Sequence, residues 1–216
     1  IKLHRVLELE PANVDAHIRA GEYAMDEQRW EEAFIAWGLV RRLQPNHKRA
    51  CLHLAQTLLA MQRPAAARPL LQEYIDRMDS SHSREEKLHV AELLLGVGEP
   101  IMAVALLEEL RSSFEENDSL QLKCLRILAV SLFASEKIDE GAAVSRKVLR
   151  IDSTCISSMH NLALAAVKNN RYRSAWGWVK RGLRQDPLDN DLRRLRSRLI
   201  WEGIGKYIKK YLRKRS

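Results

Sequence analysis

Histidine and cysteine are the residues of this 216-residue sequence that could carry acid–base, metal-binding or nucleophilic chemistry. The seven histidines include no H-E-x-x-H pair, and neither a G-x-S-x-G motif nor a phosphate-binding glycine loop is present. His82 and His89 flank a loop that has no third metal ligand nearby in sequence. The sequence therefore predicts no catalytic centre, metal site or cofactor, and we expect that the protein is not an enzyme.

The three cysteines, Cys51, Cys124 and Cys155, are far apart and form no C-x-x-C pair. Each lies among apolar residues in a stretch typical of a helix, so we interpret all three as small buried hydrophobic residues. Nothing in this pattern indicates an oxidising compartment. No run of 18 apolar residues is present, so the sequence predicts no membrane-spanning segment.

Positive charge is concentrated towards the C-terminal end. Residues 1–153 carry a net charge of −4 and residues 154–216 one of +12, which together give the net charge of +8. Such an asymmetry indicates an acidic partner, a membrane surface or nucleic acid. It is also what the polar outer face of a terminal repeat produces.

The last residues have the pattern of a basic amphipathic helix. Apolar residues recur at spacings of three and four opposite basic ones. The apolar set is Ile204, Tyr207, Ile208, Tyr211 and Leu212, and the basic set is Lys206, Lys209, Lys210, Arg213, Lys214 and Arg215. We expect Gly203 and Gly205 to interrupt the helical stripe that precedes them. Such a segment can cap the fold with solvated lysines, lie on an anionic membrane, or bind the phosphates of nucleic acid.

The elements that must position these residues are helices. Apolar residues make up 46% of the chain and charged residues 30%, with only 9 glycines and 6 prolines, which predicts a globular helical protein. No window of alternating β-branched residues is long enough to predict a strand.

Two series of small residues recur along the chain. The first is Gly21, Ala55, Ala91, Ala129 and Ala163, and the second is Ala33, Ala67, Ala103, Gly141 and Ala175. Both series have spacings of 34, 36, 38 and 34, and the second follows the first by 12 residues in every unit. Two antiparallel helices joined by a short turn approach closely where they cross, and small residues allow that approach. The pattern therefore predicts five helical hairpins.

Apolar residues accompany each small residue of the first series at i, i+3, i+4 and i+7 spacing, which is typical of one buried helix face. A lone hairpin could not bury such a stripe, so the hairpins must stack. Pro11, Pro45 and Pro187 each follow a second helix, where proline ends the hydrogen-bond ladder. The turns inside the hairpins are polar or contain a breaker: Asp26–Arg29, Gln62–Pro64, Gly98–Pro100, Ser135–Lys137 and Asn169–Arg171.

This pattern resembles the tetratricopeptide repeat (TPR) family, whose units carry Ala-x-x-x-Phe on the second helix and a terminal Pro. Ala33-x-x-x-Trp37 followed by Pro45 is the closest unit, and Trp30 and Tyr172 stand at the aromatic position that opens the second helix. The resemblance implies an all-α fold, a right-handed α-solenoid of stacked antiparallel helix pairs (a TPR-like superhelix) with a C-terminal capping helix.

The predicted organisation has three parts. Residues 1–11 are interpreted as the second helix of a truncated repeat, residues 12–187 as five repeats, and residues 188–216 as basic C-terminal capping helices. The five repeats span about 12–45, 46–83, 84–119, 120–153 and 154–187. Gly141 and Ser145 depart from the family pattern, so we expect looser packing in the fourth repeat. Because the sequence opens inside a predicted helix, we interpret it as a fragment or processed product.

In this family the first helices line a concave groove that commonly receives a peptide or a partner helix. The resemblance implies that residues one turn away from the buried stripe face this groove. These are Arg19, Glu22, Arg49, His53, His89, Lys123 and Asn161. The set is mixed in charge and could grip a polar peptide, or it could be only a solvated helix face. The Lys and Asn residues with which one subgroup clamps C-terminal carboxylates are not reproduced, so we expect no binding of that kind.

Two tryptophans, Trp176 and Trp178, lie two positions apart in the predicted second helix of the fifth repeat. Residues at that spacing point to different sides of a helix. We expect one ring to pack between repeats and the other to be exposed, where it could act as a contact hot spot.

Together these observations predict a non-catalytic protein–protein interaction scaffold, expected in the cytoplasm, that binds a peptide or partner helix. One alternative is a helical repeat that binds nucleic acid or an anionic membrane through the basic C-terminal segment, with Lys206, Lys209, Lys210 and Arg213 as the contacting residues. Another is the regulatory TPR portion of a larger enzyme.

Overall fold

The structure is a computed structural model that describes residues 2–79, 81–114 and 118–213, with side chains described for residues 6–79, 81–114, 118 and 120–201. Twelve helices lie in the described ranges, and no strand occurs within them. The helices are α1 (Lys2–Leu9), α2 (Val14–Asp26), α3 (Trp30–Leu43), α4 (Ala50–Ala60), α5 (Pro64–Asp76), α6 (Arg84–Gly96), α7 (Pro100–Arg111), α8 (Ser119–Ala134), α9 (Ile138–Ile151), α10 (Ile156–Lys168), α11 (Tyr172–Gln185) and α12 (Asn190–Arg213).

Three residues connect the two helices of each predicted hairpin, and all five connections have the same backbone geometry. In the first, Arg29 N donates to Ala24 O at 2.8 Å and Gln28 N donates to Met25 O at 3.0 Å. This is the Schellman motif, in which the first residue beyond the helix end is left-handed. The left-handed residues are Gln28, Gln62, Gly98, Glu136 and Asn170, with φ between 55° and 80°. One repeated turn explains why the two series of small residues keep a constant separation.

The small residues of both series are buried, as the crossing-point interpretation requires. Ala33, Ala67 and Ala103 have no exposed surface. At Gly21 a Cβ atom would lie 2.7 Å from Nε1 of Trp37, a distance that real Cβ atoms essentially never show. The second-helix tryptophan therefore occupies the space that the missing side chain leaves, and the close approach predicted from the sequence is present.

Contacts divide the chain into two compact units, residues 1–106 (the N-terminal unit) and residues 107–216 (the C-terminal unit). The core of the N-terminal unit includes Trp37, Leu71 and Leu94, and that of the C-terminal unit includes Leu128 and Met159, all fully buried. The three cysteines are free and buried, which confirms their interpretation as core residues.

The fourth hairpin is not loosely packed at the position where looseness was expected. A Cβ on Gly141 would lie 2.6 Å from Cδ2 of Phe133, so the phenyl ring fills the space that glycine leaves. Ser145 is fully buried. The departure from the family pattern is compensated by a larger side chain on the facing helix.

Helix α12 closes the C-terminal unit as a cap. Leu192, Leu195 and Leu199 are buried in one cluster with residues of α10 and α11. Arg193 and Arg196, which follow Met159 and Leu162 of α10 by the 34-residue repeat, are exposed where those apolar residues are buried. The helix thus packs on the preceding hairpin while turning a polar face to solvent, which is what a capping helix requires.

The expected interruption at Gly203 and Gly205 is wrong, because α12 is one helix through Arg213. Glycine lowers helix stability by about 1 kcal/mol relative to alanine but does not exclude helical backbone angles. The side chains of Lys206, Lys209, Lys210 and Arg213, predicted as the basic tail, lie outside the described side chains.

Candidate partner-binding surface

The first helices of the N-terminal unit, α2, α4 and α6, expose a polar face opposite their buried stripe. On α2 this face carries Arg19 and Glu22, and at the start of α4 it carries Arg49, all three of them exposed. We call the exposed faces of α2, α4 and α6 the first-helix surface. It combines acidic and basic groups, as the sequence predicted.

His53 lies on α4 at the boundary between this surface and the core. Its ring stacks on that of Trp37, with centroids 4.2 Å apart and planes inclined by 21°. Its Nδ1 atom is buried and has no hydrogen-bond partner. Burial lowers the pKa of His53 to about 4, helped by the nearby positive charges of Arg49 and His89 and opposed by a hydrogen bond with Gln56. The ring is therefore neutral at neutral pH.

His89 lies on α6, which packs against α4. Its Nδ1 is 3.8 Å from Oε2 of Glu92, and both side chains are more than a third exposed. The structure thus places His53 and His89 close enough to interact electrostatically. These residues of two successive first helices form the central part of the first-helix surface.

In the C-terminal unit the predicted residues are arranged differently. Lys123 on α8 is exposed. Asn161 on α10 is only 7% exposed, so its expected place on an open face is wrong. Helix α10 is rotated about its axis so that the preceding residue, His160, reaches the partly exposed position instead.

Arg126 was missed by the sequence reasoning. It is exposed on α8, next to the buried Ile127. Ile127 occupies the repeat position that Arg19 and His53 hold in earlier units, and an apolar residue there is a signal that the exposed face has shifted by one residue. Arg126, Ser157 and His160 line an open cavity of about 380 Å³ in this unit. Burial lowers the pKa of His160, and the carboxylates of Asp191 and Asp189 oppose that shift.

Within the described residues, no group of three or more His, Cys, Asp or Glu side chains is placed to hold a metal ion. The described helices also include none with the length and apolar content needed to cross a bilayer. Trp176 is 43% exposed, whereas Trp178 is partly buried against two core clusters of the C-terminal unit. The expectation that the two rings lie in different environments is therefore confirmed.

No family model and no curated protein matches the chain. Solved structures do match. A TPR protein with an unusual peptide-binding site, YrrB, is similar with a TM-score of 0.69 at 11% identity, over 90% of this chain and 97% of that chain. The chain has the tetratricopeptide-repeat fold. MamA from Desulfovibrio magneticus RS-1 is similar with a TM-score of 0.66 at 12% identity, over 82% of this chain and 97% of that chain.

Yeast Tom70 is similar with a TM-score of 0.59 at 14% identity, over 96% of this chain and 43% of that chain. At these identities the likeness shows the fold alone. It confirms the predicted fold class, an all-α TPR solenoid of stacked antiparallel helix pairs with a C-terminal capping helix.

Proposed function

We propose that this TPR-fold protein is a non-catalytic scaffold that binds a peptide or a partner helix on the first-helix surface of its N-terminal unit. The fold supports a role in protein binding, since YrrB, a protein of the same fold, has a peptide-binding site. The proposal concerns Arg19, Glu22, Arg49, His53 and His89. Lys123 in the C-terminal unit stays a prediction.

The observation that carries the proposal is the contrast between the two faces of α4 and α6. One face of each helix is fully packed, with Leu88 and Ala55 showing no exposed surface, and this packing holds the helices rigid. The opposite face presents Arg49 and His89 to solvent. A rigid face of this kind binds without a large ordering cost, because only the ligand and a few side chains lose freedom.

The chemistry of the surface indicates the kind of ligand. Arg49 can form a bidentate hydrogen bond with a carboxylate, while Glu22 and Glu92 can accept from amines or backbone N–H groups. The neutral ring of His53 can pack against an apolar side chain. A polar peptide with both acidic and basic residues fits this arrangement better than a uniformly charged one.

A peptide-display experiment tests the proposal. Random peptides would be selected on the wild-type protein, and the affinity of the enriched peptides measured by fluorescence anisotropy. We expect Arg49→Glu combined with His89→Glu to weaken binding by about tenfold or more, because it reverses the positive charge at the centre of the surface.

The matched control is Arg42→Glu combined with Ala66→Glu. These residues are exposed on second helices of the same unit and the pair changes the net charge equally, so binding should change less than about twofold. If the Arg49 and His89 variant binds the selected peptides as well as the wild type does, the proposed surface is wrong.

A further inference from the structure

Helix α12 is longer than the other first helices. Its 24 residues compare with 11 in α4 and 16 in α8. In every hairpin the first helix ends five residues beyond its small residue, as at Ala60 and Lys168. The same step from Ser197, which follows Ala163 by 34 residues, ends at Glu202. The helix continues to Arg213, about 16 Å further at 1.5 Å per residue.

Two large apolar side chains are exposed where α12 passes this point. Trp201 is 73% exposed and Ile200 is 45% exposed. Ile200 follows Ala166 by 34 residues, and Ala166 is buried. In the earlier hairpins the second helix covers this position. Among the described residues nothing covers Ile200 and Trp201 to that extent, so both present apolar surface to solvent.

Basic side chains surround this apolar surface. Arg194 and Arg198 stand on the same helix face as Trp201, at i, i+4 and i+7 spacing, and both are exposed. The sequence that follows is more basic still, with Lys or Arg at six of the last eleven positions and no acidic residue among them. In sequence, the apolar residues Ile204, Ile208 and Leu212 continue at spacings of three and four from Trp201.

We propose that the C-terminal half of α12 docks on an anionic membrane surface, with Trp201 at the level of the lipid headgroups. This inference is independent of the peptide-binding proposal. Arginine and lysine side chains are attracted to anionic headgroups, tryptophan is enriched at the membrane–water interface, and an aliphatic stripe gains by entering the acyl region. Nucleic acid would satisfy the charges but would leave Ile200 and the aliphatic stripe without an apolar environment.

Sedimentation with large unilamellar vesicles tests this proposal. The full chain would be mixed with vesicles of phosphatidylcholine alone, or with about 30% phosphatidylglycerol added. We expect at least about tenfold tighter binding to the anionic vesicles. Trp201→Ser should weaken that binding about fivefold or more, whereas Ile101→Ser, which removes an equally exposed apolar side chain (72%) from the N-terminal unit, should leave it unchanged.

A second pair of variants tests the charges. Arg194→Glu with Arg198→Glu should weaken vesicle binding about tenfold. Arg146→Glu with Lys147→Glu, an equal charge change at exposed positions of α9, should weaken it less than about threefold. Circular dichroism melting would show that each variant is folded, and Ile200→Ser replaces Trp201→Ser if the latter is not.

Three outcomes would overturn the proposal. One is an absence of binding to anionic vesicles at low salt. Another is binding of single-stranded RNA that Trp201→Ser does not change, together with vesicle binding that RNA abolishes, which would favour nucleic acid. The third is a dimer in analytical ultracentrifugation that Trp201→Ser converts to a monomer without any vesicle binding, which would make a second copy the occupant.

Discussion

At the scale of single residues, His53 links the core of the N-terminal unit to its exposed surface. Its ring is stacked on the buried Trp37, and its Nδ1 has no acceptor or donor nearby. A proton on this ring would be buried without a partner, and burial is the main cause of its low pKa, about 4. His53 therefore contributes a flat neutral face, rather than a charge, to the proposed peptide-binding surface.

The low pKa of His53 makes stability depend on pH. The unfolded chain binds a proton on this residue below about pH 6.5, and the folded chain binds it only near pH 4. Stability is therefore lost as the pH falls through this interval, by about 2 kcal/mol between pH 7 and pH 5. In urea unfolding at these two pH values, we expect His53→Gln to lose about 2 kcal/mol less than the wild type. A loss as large as that of the wild type would contradict the assignment, and His89→Gln serves as the control.

The cysteines differ in reactivity although all three are buried. Burial raises the pKa of Cys124 to about 11. Burial also acts to raise the pKa of Cys155, but hydrogen bonds with Ser157 and Ser158 outweigh it and lower that pKa below its ordinary value. Because the thiolate is the nucleophile, we expect iodoacetamide to modify Cys155 at least about tenfold faster than Cys124 in the folded protein.

Peptide mass spectrometry of a time course would measure the two rates at about pH 7.5. Cys155→Ser should remove the fast reaction, and unfolding in urea should bring the remaining cysteines to similar rates. Equal rates for Cys124 and Cys155 in the folded protein would show that the two serines do not stabilise the thiolate.

At the scale of elements, the crossing of paired helices determines which glycines are required. A Cβ on Gly21 would meet the Trp37 ring at 2.7 Å, whereas a Cβ on Gly38 would meet nothing within 4 Å. Both residues lie inside helices, so alanine raises helix propensity at both. We expect Gly21→Ala to destabilise the protein by about 1–3 kcal/mol through overpacking. Gly38→Ala should stabilise it by about 0.5–1 kcal/mol. Urea unfolding should give opposite signs, and effects of the same sign would contradict the crossing geometry.

The hairpins could be predicted from the sequence because a close crossing requires a small residue. That requirement leaves a mark in the sequence, seen at Ala33, Ala67 and Ala103. The left-handed turn residues leave a weaker mark. A left-handed backbone costs a non-glycine residue only about 1–2 kcal/mol, and Gln28 and Glu136 adopt it where Gly98 also stands. The turn type therefore does not follow from residue identity.

The candidate surface could be predicted only where the helix register stayed constant. Arg19, His53 and His89 occupy equivalent positions, and the first of these is fully exposed while the two histidines are partly so. The rule placed Asn161 wrongly because α10 is rotated by about one residue, which depends on how its side chains pack. A one-residue shift turns a helical position by about 100°. Spacing alone cannot determine such a rotation.

At the scale of the whole molecule, charge separates the two units. Residues 1–106 carry a net charge of −2 and residues 107–216 one of +10. The first-helix surface holds both signs within a small area, as with Arg49 near His89 and Glu92. The exposed face of α12 carries only basic groups near Trp201, including Arg194 and Arg198. The two proposed ligands, a polar peptide and an anionic membrane, therefore suit different units.

This separation predicts two different responses to ionic strength in one protein. Salt at about 300 mM reduces the range of electrostatic attraction to less than half of that at about 50 mM. Attraction of a run of basic residues to an anionic membrane depends on that range, so we expect vesicle binding to weaken at least about tenfold over this interval. Peptide binding to the mixed first-helix surface should weaken less than about threefold, because attractive and repulsive long-range terms partly cancel there. Both constants would be measured on one preparation, by sedimentation and by fluorescence anisotropy. An equally steep loss of peptide affinity would mean that the peptide is held by net charge, and that the basic C-terminal unit rather than Arg49 and His89 binds it.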